Sequence, residues 1–359
     1  MNYCFKVSRR IARFRGPVVA ALVLTVASCN QTDPVRPDST SSPQSDLDTD
    51  TEPTYFADPT AFAWDSVRMA TPSNPVTSAK SCLTQSGPLV TLSGAQQRYY
   101  HPKLPPNLKV DAGKAWWDGA GGFPVLVGNS KAAGLCWSGG LIRGTWPVGT
   151  PWLTYHSTAG MFMAAPGFTL EDVKIVNYGD AVRVQNYTDN WTIRRIHVQR
   201  ARDDCIENDR LYSGLIDDAL FEGCYVFLSE RPGSGVGIPV DGRKEMVKIQ
   251  NTLVYLQPMP SVYSGRPPGT GPLFKWSNLG SKLAITNTIF RIDQKPNHGD
   301  LKFPPGLVSC ANNTIVWLGK GSYPAPLPSC FTVTTDRAVW ERAVIRWKAT
   351  HQQANFRRQ

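Results

Sequence analysis

The densest group of titratable side chains in the sequence lies between residues 203 and 222. A single arginine, Arg210, stands there against seven acids, which are Asp203, Asp204, Glu207, Asp209, Asp217, Asp218 and Glu222. A protonated carboxyl beside an ionised one is what glycoside hydrolysis requires, and crowded acids raise one another's pKa. The cluster therefore predicts a catalytic centre, to which we assign Asp203, Asp204, Glu207, Asp209 and Arg210.

A short hydrophobic phrase that recurs along the chain indicates how these residues are held. The phrases are LEDVKI from Leu170, IRRIHV from Ile193, IDDALF from Ile216, IQNTLV from Ile249, ITNTIF from Ile285 and ANNTIV from Ala311. Apolar residues recur at the first, fourth and sixth positions, which requires a corner between two short strands. Asn or Asp stands at the third position of most phrases and suits the left-handed backbone of a corner. The pattern predicts a coil whose rungs stack, with extra residues exported to loops.

Asn-Thr corners stacked rung over rung resemble the right-handed parallel β-helix of the pectin-lyase-like superfamily, in which such asparagines form a ladder. Four longer stretches resemble uncharacterised bacterial β-helix lipoproteins: CWSGGLIRGTW from Cys136, residues 202–226, LQPMPSVYSG from Leu256 and CFTVTTDRAVWERAV from Cys330. The resemblance covers roughly residues 85–350 and implies the fold without a settled activity. Of the polygalacturonase motifs, Asp203-Asp204 is present but no Gly-His-Gly follows, so those catalytic roles are not carried over.

The first 29 residues have the pattern of a bacterial export signal. A basic start is followed by the apolar run PVVAALVLTVA, which is too short to span a bilayer. Val26-Ala27-Ser28-Cys29 resembles a lipobox, and in lipoproteins that cysteine becomes the lipidated first residue. We therefore expect an exported lipoprotein of the cell envelope, membrane-anchored or extracellular, with lipidation at Cys29. The alternative is ordinary signal cleavage with an incidental Cys29.

Composition and periodicity divide the chain into four segments. They are a signal peptide (1–29), a disordered Ser/Thr/Pro/Asp linker (30–60), a parallel β-helix (61–335) and a C-terminal helix with its tail (336–359). Segments 228–245 and 257–280 are rich in Gly and Pro and are predicted to be loops. Apolar residues from Ala338 have helical spacing, with Thr335 and Asp336 placed to cap. The predicted fold class is all-β, a right-handed parallel β-helix (solenoid) with a C-terminal capping α-helix.

Six cysteines remain once the signal peptide and its processing site are set aside: Cys82, Cys136, Cys205, Cys224, Cys310 and Cys330. An even number in an exported chain permits disulfides. Proximity in a coil makes Cys205–Cys224 and Cys310–Cys330 plausible pairs, although connectivity does not follow from the sequence. Buried thiols that fill the stack are an equal alternative for Cys205 and Cys224.

Strand alternation predicts which way the acids face. Ile206 should enter the core, so the alternate residues Asp203, Cys205, Glu207 and Asp209 should lie on the outer face. Around this centre we assign substrate binding to charged neighbours, which are Arg202, Asp217, Asp218, Glu230 and Arg231. The alternative is a solvated ladder in which arginines neutralise the acids or the acids hold corner backbone groups.

The sequence favours a membrane-tethered β-helix that binds and cleaves polysaccharide, as a glycoside hydrolase or a polysaccharide lyase. The histidines show no metal-ligand spacing, and His197 is expected at the surface; a lyase would use Ca²⁺, with an arginine as the base. Aromatic residues are candidates for sugar platforms or for core packing: Tyr99, Tyr100, Trp116, Trp117, Trp146 and Trp152. No nucleic-acid module is apparent. The alternative is a non-catalytic surface module for glycan binding or adhesion.

Overall fold

The computed structural model describes residues 80–119, 121–128, 131–147, 149–232, 241–259 and 268–351. The predicted signal peptide, the linker, the lipidation site at Cys29 and the tail beyond residue 351 lie outside these ranges. No helix within the described ranges is long and apolar enough to span a bilayer.

The described residues form 22 strands, two α-helices and one short 3₁₀ helix. The strands are β1 (Leu89–Ala95), β2 (Tyr99–His101), β3 (Lys109–Gly119), β4 (Val125–Val127), β5 (Cys136–Ser138), β6 (Leu141–Gly144), β7 (Ala159–Met163), β8 (Thr169–Glu171), β9 (Lys174–Val176), β10 (Asp180–Val184), β11 (Trp191–Arg194), β12 (His197–Glu207), β13 (Gly214–Asp217), β14 (Leu220–Glu230), β15 (Met246–Gln250), β16 (Leu253–Leu256), β17 (Phe274–Trp276), β18 (Lys282–Thr286), β19 (Ile289–Ile292), β20 (Leu307–Ala311), β21 (Asn313–Trp317) and β22 (Phe331–Thr334). The helices are α1 (Trp152–Tyr155) and α2 (Arg337–Thr350), and the 3₁₀ helix is Cys82–Thr84.

The strand pairings define three parallel sheets, which the rungs from β1 to β17 visit in turn. The first sheet contains β1, β3, β5, β8, β11, β13, β15, β18 and β20. The second contains the later parts of β1 and β3 with β6, β9, β12, β14, β16, β19, β21 and β22. The third contains β2, β4, β7, β10, the ends of β12 and β14, and β17. The fold is the predicted right-handed parallel β-helix with a C-terminal capping helix.

The recurring phrases join the first sheet to the second. Their first residues pair in register and have no exposed surface, which places Leu170, Ile193, Ile216, Ile249 and Ile285 in one buried column. The third residue of the first five phrases has a φ between 50° and 58°, the left-handed corner that Asn and Asp tolerate. Because the corners stack, asparagine amides donate from rung to rung, Asn287 to Asn251 at 3.2 Å and Asn312 to Asn287 at 3.3 Å.

The sixth phrase begins one residue earlier than predicted. Ile285 pairs with Cys310 rather than Ala311, and the corner residue is Asn312, with a φ of 54°. Asn313 therefore points inward, where it accepts from the Thr288 backbone N–H at 3.1 Å and donates to the Ile285 carbonyl at 3.0 Å. Two adjacent asparagines made the register ambiguous in sequence.

Helix α2 lies on the outer side of the second sheet. The Asp336 side chain caps it by accepting from the Ala338 backbone N–H at 2.9 Å. Its buried residues pack against an apolar patch of the second sheet, the cluster comprising Trp340, Val344, Trp347, Leu220, Leu253 and Val316. His197, expected at the surface, is instead 7 % exposed and bonded to Glu222 at 2.6 Å. Its ring contacts that of Trp347 in the helix.

All six cysteines of the described residues form disulfides. The pairs are Cys82–Cys136, Cys205–Cys224 and Cys310–Cys330, with Cα separations of 5.6, 5.5 and 5.8 Å. The two pairs considered from sequence are present, and the interpretation of Cys205 and Cys224 as free thiols is wrong. Chain segments predicted as loops also contain strand residues, since β14 extends to Glu230 and β17 falls within 257–280.

Candidate functional site

One row of outward residues crosses the third sheet from strand to strand. Register pairing defines this outer row as Tyr100, Leu126, Phe162, Arg183, Glu207, Ser229 and Lys275. Equivalent residues on neighbouring strands are about 4.8 Å apart, so the row forms a continuous stripe. It is apolar and aromatic at the β2 end and polar or charged from β10 onward.

Glu207 occupies the centre of the charged part, beside two carboxylates of buried residues. Oxygen atoms of Asp180, Asp204 and Glu207 lie within 4.8 Å of one another. Arg183 bridges two of them, because its Nε lies 3.1 Å from Oε1 of Glu207 and 2.9 Å from Oδ2 of Asp180. The Asp180 side chain has no exposed surface, whereas that of Glu207 is 17 % exposed. Glu207 is therefore the member of this trio that a substrate can reach.

Lys275 neutralises the other two acids of the cluster. Its Nζ lies 3.0 Å from Oδ1 of Asp203 and 2.9 Å from Oδ1 of Asp204. Burial lowers the pKa of Lys275, but the Asp204 and Asp203 carboxylates outweigh that effect and raise it well above the usual value. The lysine is therefore charged at neutral pH, and both ion pairs are shielded from water.

The predicted outward orientation is wrong for Cys205, which lies in the core, and Asp203 is only 6 % exposed. The alternation rule fails because the register with β14 shifts between Ala201 and Asp204. Such a bulge adds a residue to one strand and changes the direction of the side chains around it. Glu207, beyond the bulge, regains the expected position in register with Arg183.

The cluster is crowded with negative charge. Burial raises the pKa of Glu207 well above its usual range, the Asp180 charge raises it further, and Arg183 opposes both. Burial likewise raises the pKa of Asp180 to about 6, although Arg183 lowers it. Since full ionisation would bring several acids together around two cations, the cluster favours retention of a proton near neutral pH.

Asp209 accepts two hydrogen bonds just beyond the end of β12. Its Oδ1 accepts from the Ser229 hydroxyl at 2.6 Å and from the Arg231 backbone N–H at 2.9 Å. Burial raises the pKa of Asp209, and these two hydrogen bonds act in the opposite direction. Arg231 itself is exposed, and Arg210 is partly exposed in the turn that follows β12.

Two of the predicted substrate-binding residues are buried in structural contacts. Glu230 has no exposed surface, and it accepts from the Ser281 hydroxyl at 2.9 Å and from the Asn208 amide. The Arg202 guanidinium lies 3.8 Å from the Tyr155 ring centroid, and it donates to the carbonyls of residues 147 and 150. Both groups are positioned to hold the fold rather than to meet a substrate.

The remaining predicted residues lie at a different corner of the coil. Asp217 ends β13 in the first sheet and accepts from the Asn251 amide at 2.9 Å. Asp218 is the corner residue that follows, and its carboxylate is 2.8 Å from Nε2 of His351. The structure therefore brings Asp203, Asp204, Glu207 and Asp209 together, whereas Asp218 contacts the end of the C-terminal helix and Asp217 contacts the neighbouring corner.

Sequence reasoning missed three residues of the cluster, Asp180, Arg183 and Lys275. The first two could have been found by continuing the rung alignment, because Arg183 pairs directly with Glu207. Lys275 lies in a segment without periodicity that was predicted to be a loop, so the sequence carried no signal for it.

The three close carboxylates also raise the question of a metal ion. The oxygens of Asp180, Asp204 and Glu207 have the spacing that a cation would need. Arg183 and Lys275 already neutralise these carboxylates at ion-pair distance, so the donor set does not fit a hard divalent cation. We assign no metal to this site.

The apolar end of the outer row carries aromatic rings and arginines. The rings of Phe123 and Phe162 meet edge to face with centroids 5.2 Å apart. The Arg183 guanidinium lies 5.8 Å from the Phe123 centroid, and Arg98 is at the same distance from Tyr100. Tyr100 is 59 % exposed. Flat apolar rings with adjacent donors are suited to sugar rings, and Arg183 connects them to Glu207.

Comparison with known proteins did not identify a relative of this chain. No protein-family model matches the chain, and neither the curated proteins nor the solved structures gave a match. The class that the fold defines is a parallel β-helix, with an outer row that joins aromatic residues to buried acids.

Proposed function

We propose that this protein is an exported, membrane-tethered β-helix of pectin-lyase-like type that binds and cleaves a polysaccharide. The outer row carries the proposal, because it joins exposed aromatic surface to Glu207, a carboxyl whose pKa is raised by burial. An elongated substrate would lie across the strands, with its apolar ring faces on the aromatic residues and a glycosidic oxygen at Glu207.

In this proposal Glu207 is the general acid. A protonated carboxyl donates its proton to the departing glycosidic oxygen, and a second carboxylate activates water or attacks the sugar. We assign the second role to Asp209, because the hydrogen bonds from Ser229 and Arg231 oppose the rise in its pKa that burial causes. Arg183 positions Glu207, and Lys275 holds the side chains of Asp203 and Asp204 in place through its two ion pairs.

The second candidate function is a non-catalytic glycan-binding or adhesion module. The observation that favours it is that most acids of the cluster already have partners, with Lys275 on Asp203 and Asp204, and Ser281 on Glu230. In this case the aromatic end of the outer row would bind sugar and the acids would only stabilise the third sheet.

The test is to incubate the purified protein with a panel of neutral and uronic-acid polysaccharides and to measure new reducing ends and unsaturated products. We expect cleavage of at least one glycan, and its complete loss in Glu207→Gln. Asp300→Asn, which changes an exposed carboxyl with 60 % of its side chain accessible, is the control and should retain full activity. Binding without cleavage would support the adhesion module instead, and no binding at all would overturn both.

Export and anchoring belong to the same proposal and rest on the sequence alone. The basic start, the short apolar run and Val26-Ala27-Ser28-Cys29 support a lipoprotein signal. A linker rich in Ser, Thr, Pro and Asp would hold the β-helix away from the membrane, where a polysaccharide can reach it.

A further inference from the structure

A pocket opens beside the aromatic end of the outer row, away from the acids. It has a volume of about 320 Å³ and is lined by residues that include Arg98, Trp117, Asp118, Gly122, Phe123 and Tyr178. None of the catalytic residues assigned from sequence lines it, whereas Trp117, a candidate sugar platform in the sequence, does. The volume is at the lower end of small-molecule sites and has room for a single sugar ring.

The Trp117 ring forms part of the wall of the pocket. The Trp117 side chain is 1 % exposed, and within the described ranges its indole Nε1 has no hydrogen-bond acceptor. Buried polar groups are normally paired, because an unpaired donor loses the hydrogen bond it had with water. Nε1 itself is enclosed by protein, so the charged groups that a ligand in the pocket can reach are those of Asp118 and Arg98.

Other polar groups of the pocket are fixed in place. Arg143 holds the carboxylate of Asp118 through Nε at 2.9 Å and Nη2 at 2.8 Å, and a carboxylate has lone pairs left for further donors. The Arg98 Nε donates to the Phe123 carbonyl at 3.2 Å, which holds the guanidinium over the pocket wall. A rigid acceptor, a rigid cation and an aromatic ring are the groups that bind a sugar ring with its hydroxyls.

The pocket is connected to Glu207 by direct contacts along the third sheet. Phe123 contacts Phe162 and Arg183, and Arg183 is bonded to Glu207. From β4, which follows Phe123, to β12 there are three strand steps, through β7 and β10. The distance is about 14 Å, at about 4.8 Å per step, so a chain of several sugar units is needed to span it.

We propose that the pocket at Trp117 and Phe123 is a distal subsite that holds one sugar unit of a polysaccharide whose cleaved bond lies at Glu207. Hydroxyls of that unit donate to the Asp118 carboxylate and accept from the Arg98 guanidinium, and its ring lies beside Phe123. The subsite makes the protein selective for chain length, because short oligosaccharides cannot occupy both places at once. This inference rests on the proposed function.

A substitution that fills the pocket tests the subsite without disturbing the core. A Cβ added at Gly122 meets no atom within 4 Å, so Gly122→Phe should fold and place its ring in the pocket. Gly149→Phe is the matched control, since Gly149 is exposed and has equally free space outside the pocket. Both variants are measured with gluco-, xylo- and galacturono-oligosaccharides, from the monosaccharide to the hexasaccharide.

The subsite predicts that wild-type affinity increases with chain length and that Gly122→Phe binds the hexasaccharide about tenfold more weakly, a difference of about 1.4 kcal/mol. Gly149→Phe should match the wild type. Equal binding of the hexasaccharide by both variants overturns the subsite while leaving the proposed function intact. Absence of binding to every series by the wild type overturns both.

An independent readout is the indole N–H resonance of Trp117. In ¹⁵N-labelled protein, a resonance that Trp117→Phe removes should shift when the hexasaccharide binds, because the bound sugar lies against the pocket wall that the Trp117 ring forms. The shift should be absent in Gly122→Phe and present in Gly149→Phe. A hexasaccharide that binds to the wild type and leaves the Trp117 resonance unmoved contradicts the proposal.

Discussion

Arg183 and Glu207 hold equivalent positions on neighbouring strands, and Nε of the arginine lies 3.1 Å from Oε1 of the glutamate. The same guanidinium is bonded to Asp180, a buried residue on the same strand as Arg183 and one turn of the coil before Glu207. One cation therefore holds both a buried carboxylate and the solvent-reaching carboxyl that we assign as the acid. Loss of the guanidinium should therefore lower the stability of the fold through Asp180 and the proposed cleavage activity through Glu207, and the two effects can be measured separately.

Arg183→Gln should lower the free energy of unfolding by about 3 kcal/mol at neutral pH, because it leaves the Asp180 charge without its partner. Asp180→Asn in the same chain should restore part of that stability, since no buried charge is then stranded. Arg243→Gln, an exposed member of a surface pair, is the control and should change little. Urea unfolding measures all three variants, and an unchanged midpoint in Arg183→Gln would show that the bridge has no structural role.

The buried columns of the stack should carry most of the stability. Ile249 has no exposed surface and pairs with Ile216 and Ile285, so Ile249→Ala should reduce the free energy of unfolding by about 2–5 kcal/mol. Deletion of residues 31–55 from the predicted linker should change it little. Denaturant unfolding of both variants checks the prediction, and a linker deletion as damaging as Ile249→Ala would place the domain boundary elsewhere.

The fold could be predicted because its signal repeats. An apolar residue at the phrase start and a left-handed corner two residues later recur from rung to rung, so an error at one rung, such as the start at Cys310, leaves the predicted architecture intact. The site could be predicted only in part. Glu207 follows from register, but the bulge before Asp204 is a local event without a repeating pattern.

Two further features escaped prediction for a physical reason. Lys275 comes from an insertion that differs from the other rungs, and only tertiary packing brings it to Asp203 and Asp204. Strand alternation predicts His197 at the surface, because that pattern gives only the face of the sheet and not whether a later helix covers it. Helix α2 covers that face and buries the ring.

Anchoring at Cys29 is a prediction from sequence that lies outside the described residues. A lone acyl chain holds a protein at a membrane only marginally, and the diacylated cysteine of lipoproteins provides more than one chain. In a bacterial host, Cys29→Ala should move the protein from the membrane to a soluble exported fraction. Cell fractionation measures this, with Cys4→Ala in the signal segment as the control that should stay membrane-bound. Equal retention of both variants would exclude lipid anchoring at Cys29.

Glu230 should make stability depend on pH in a direction opposite to that of most carboxyls. Burial raises its pKa to about 8, although the hydrogen bonds from Ser281 and Asn208 oppose the shift. The folded protein therefore keeps a proton that the unfolded chain releases near its ordinary pKa of about 4.3. Because the folded state binds more protons, this contribution is full below the unfolded pKa and is lost as the pH rises towards 8.

Glu230→Gln should abolish that dependence, since glutamine keeps the shape and carries no proton to lose. The Ser281 hydroxyl, already 3.2 Å from the Leu211 carbonyl, can donate there and accept from the new amide. We expect the variant to gain about 2–4 kcal/mol relative to wild type between pH 5 and pH 8. Unfolding midpoints across this range measure the difference, with Asp300→Asn as a control that should stay parallel to wild type. If the difference in unfolding free energy between Glu230→Gln and wild type stays constant from pH 5 to pH 8, Glu230 is ionised in the folded protein. The hydrogen bonds to its carboxylate then outweigh the effect of burial on its pKa.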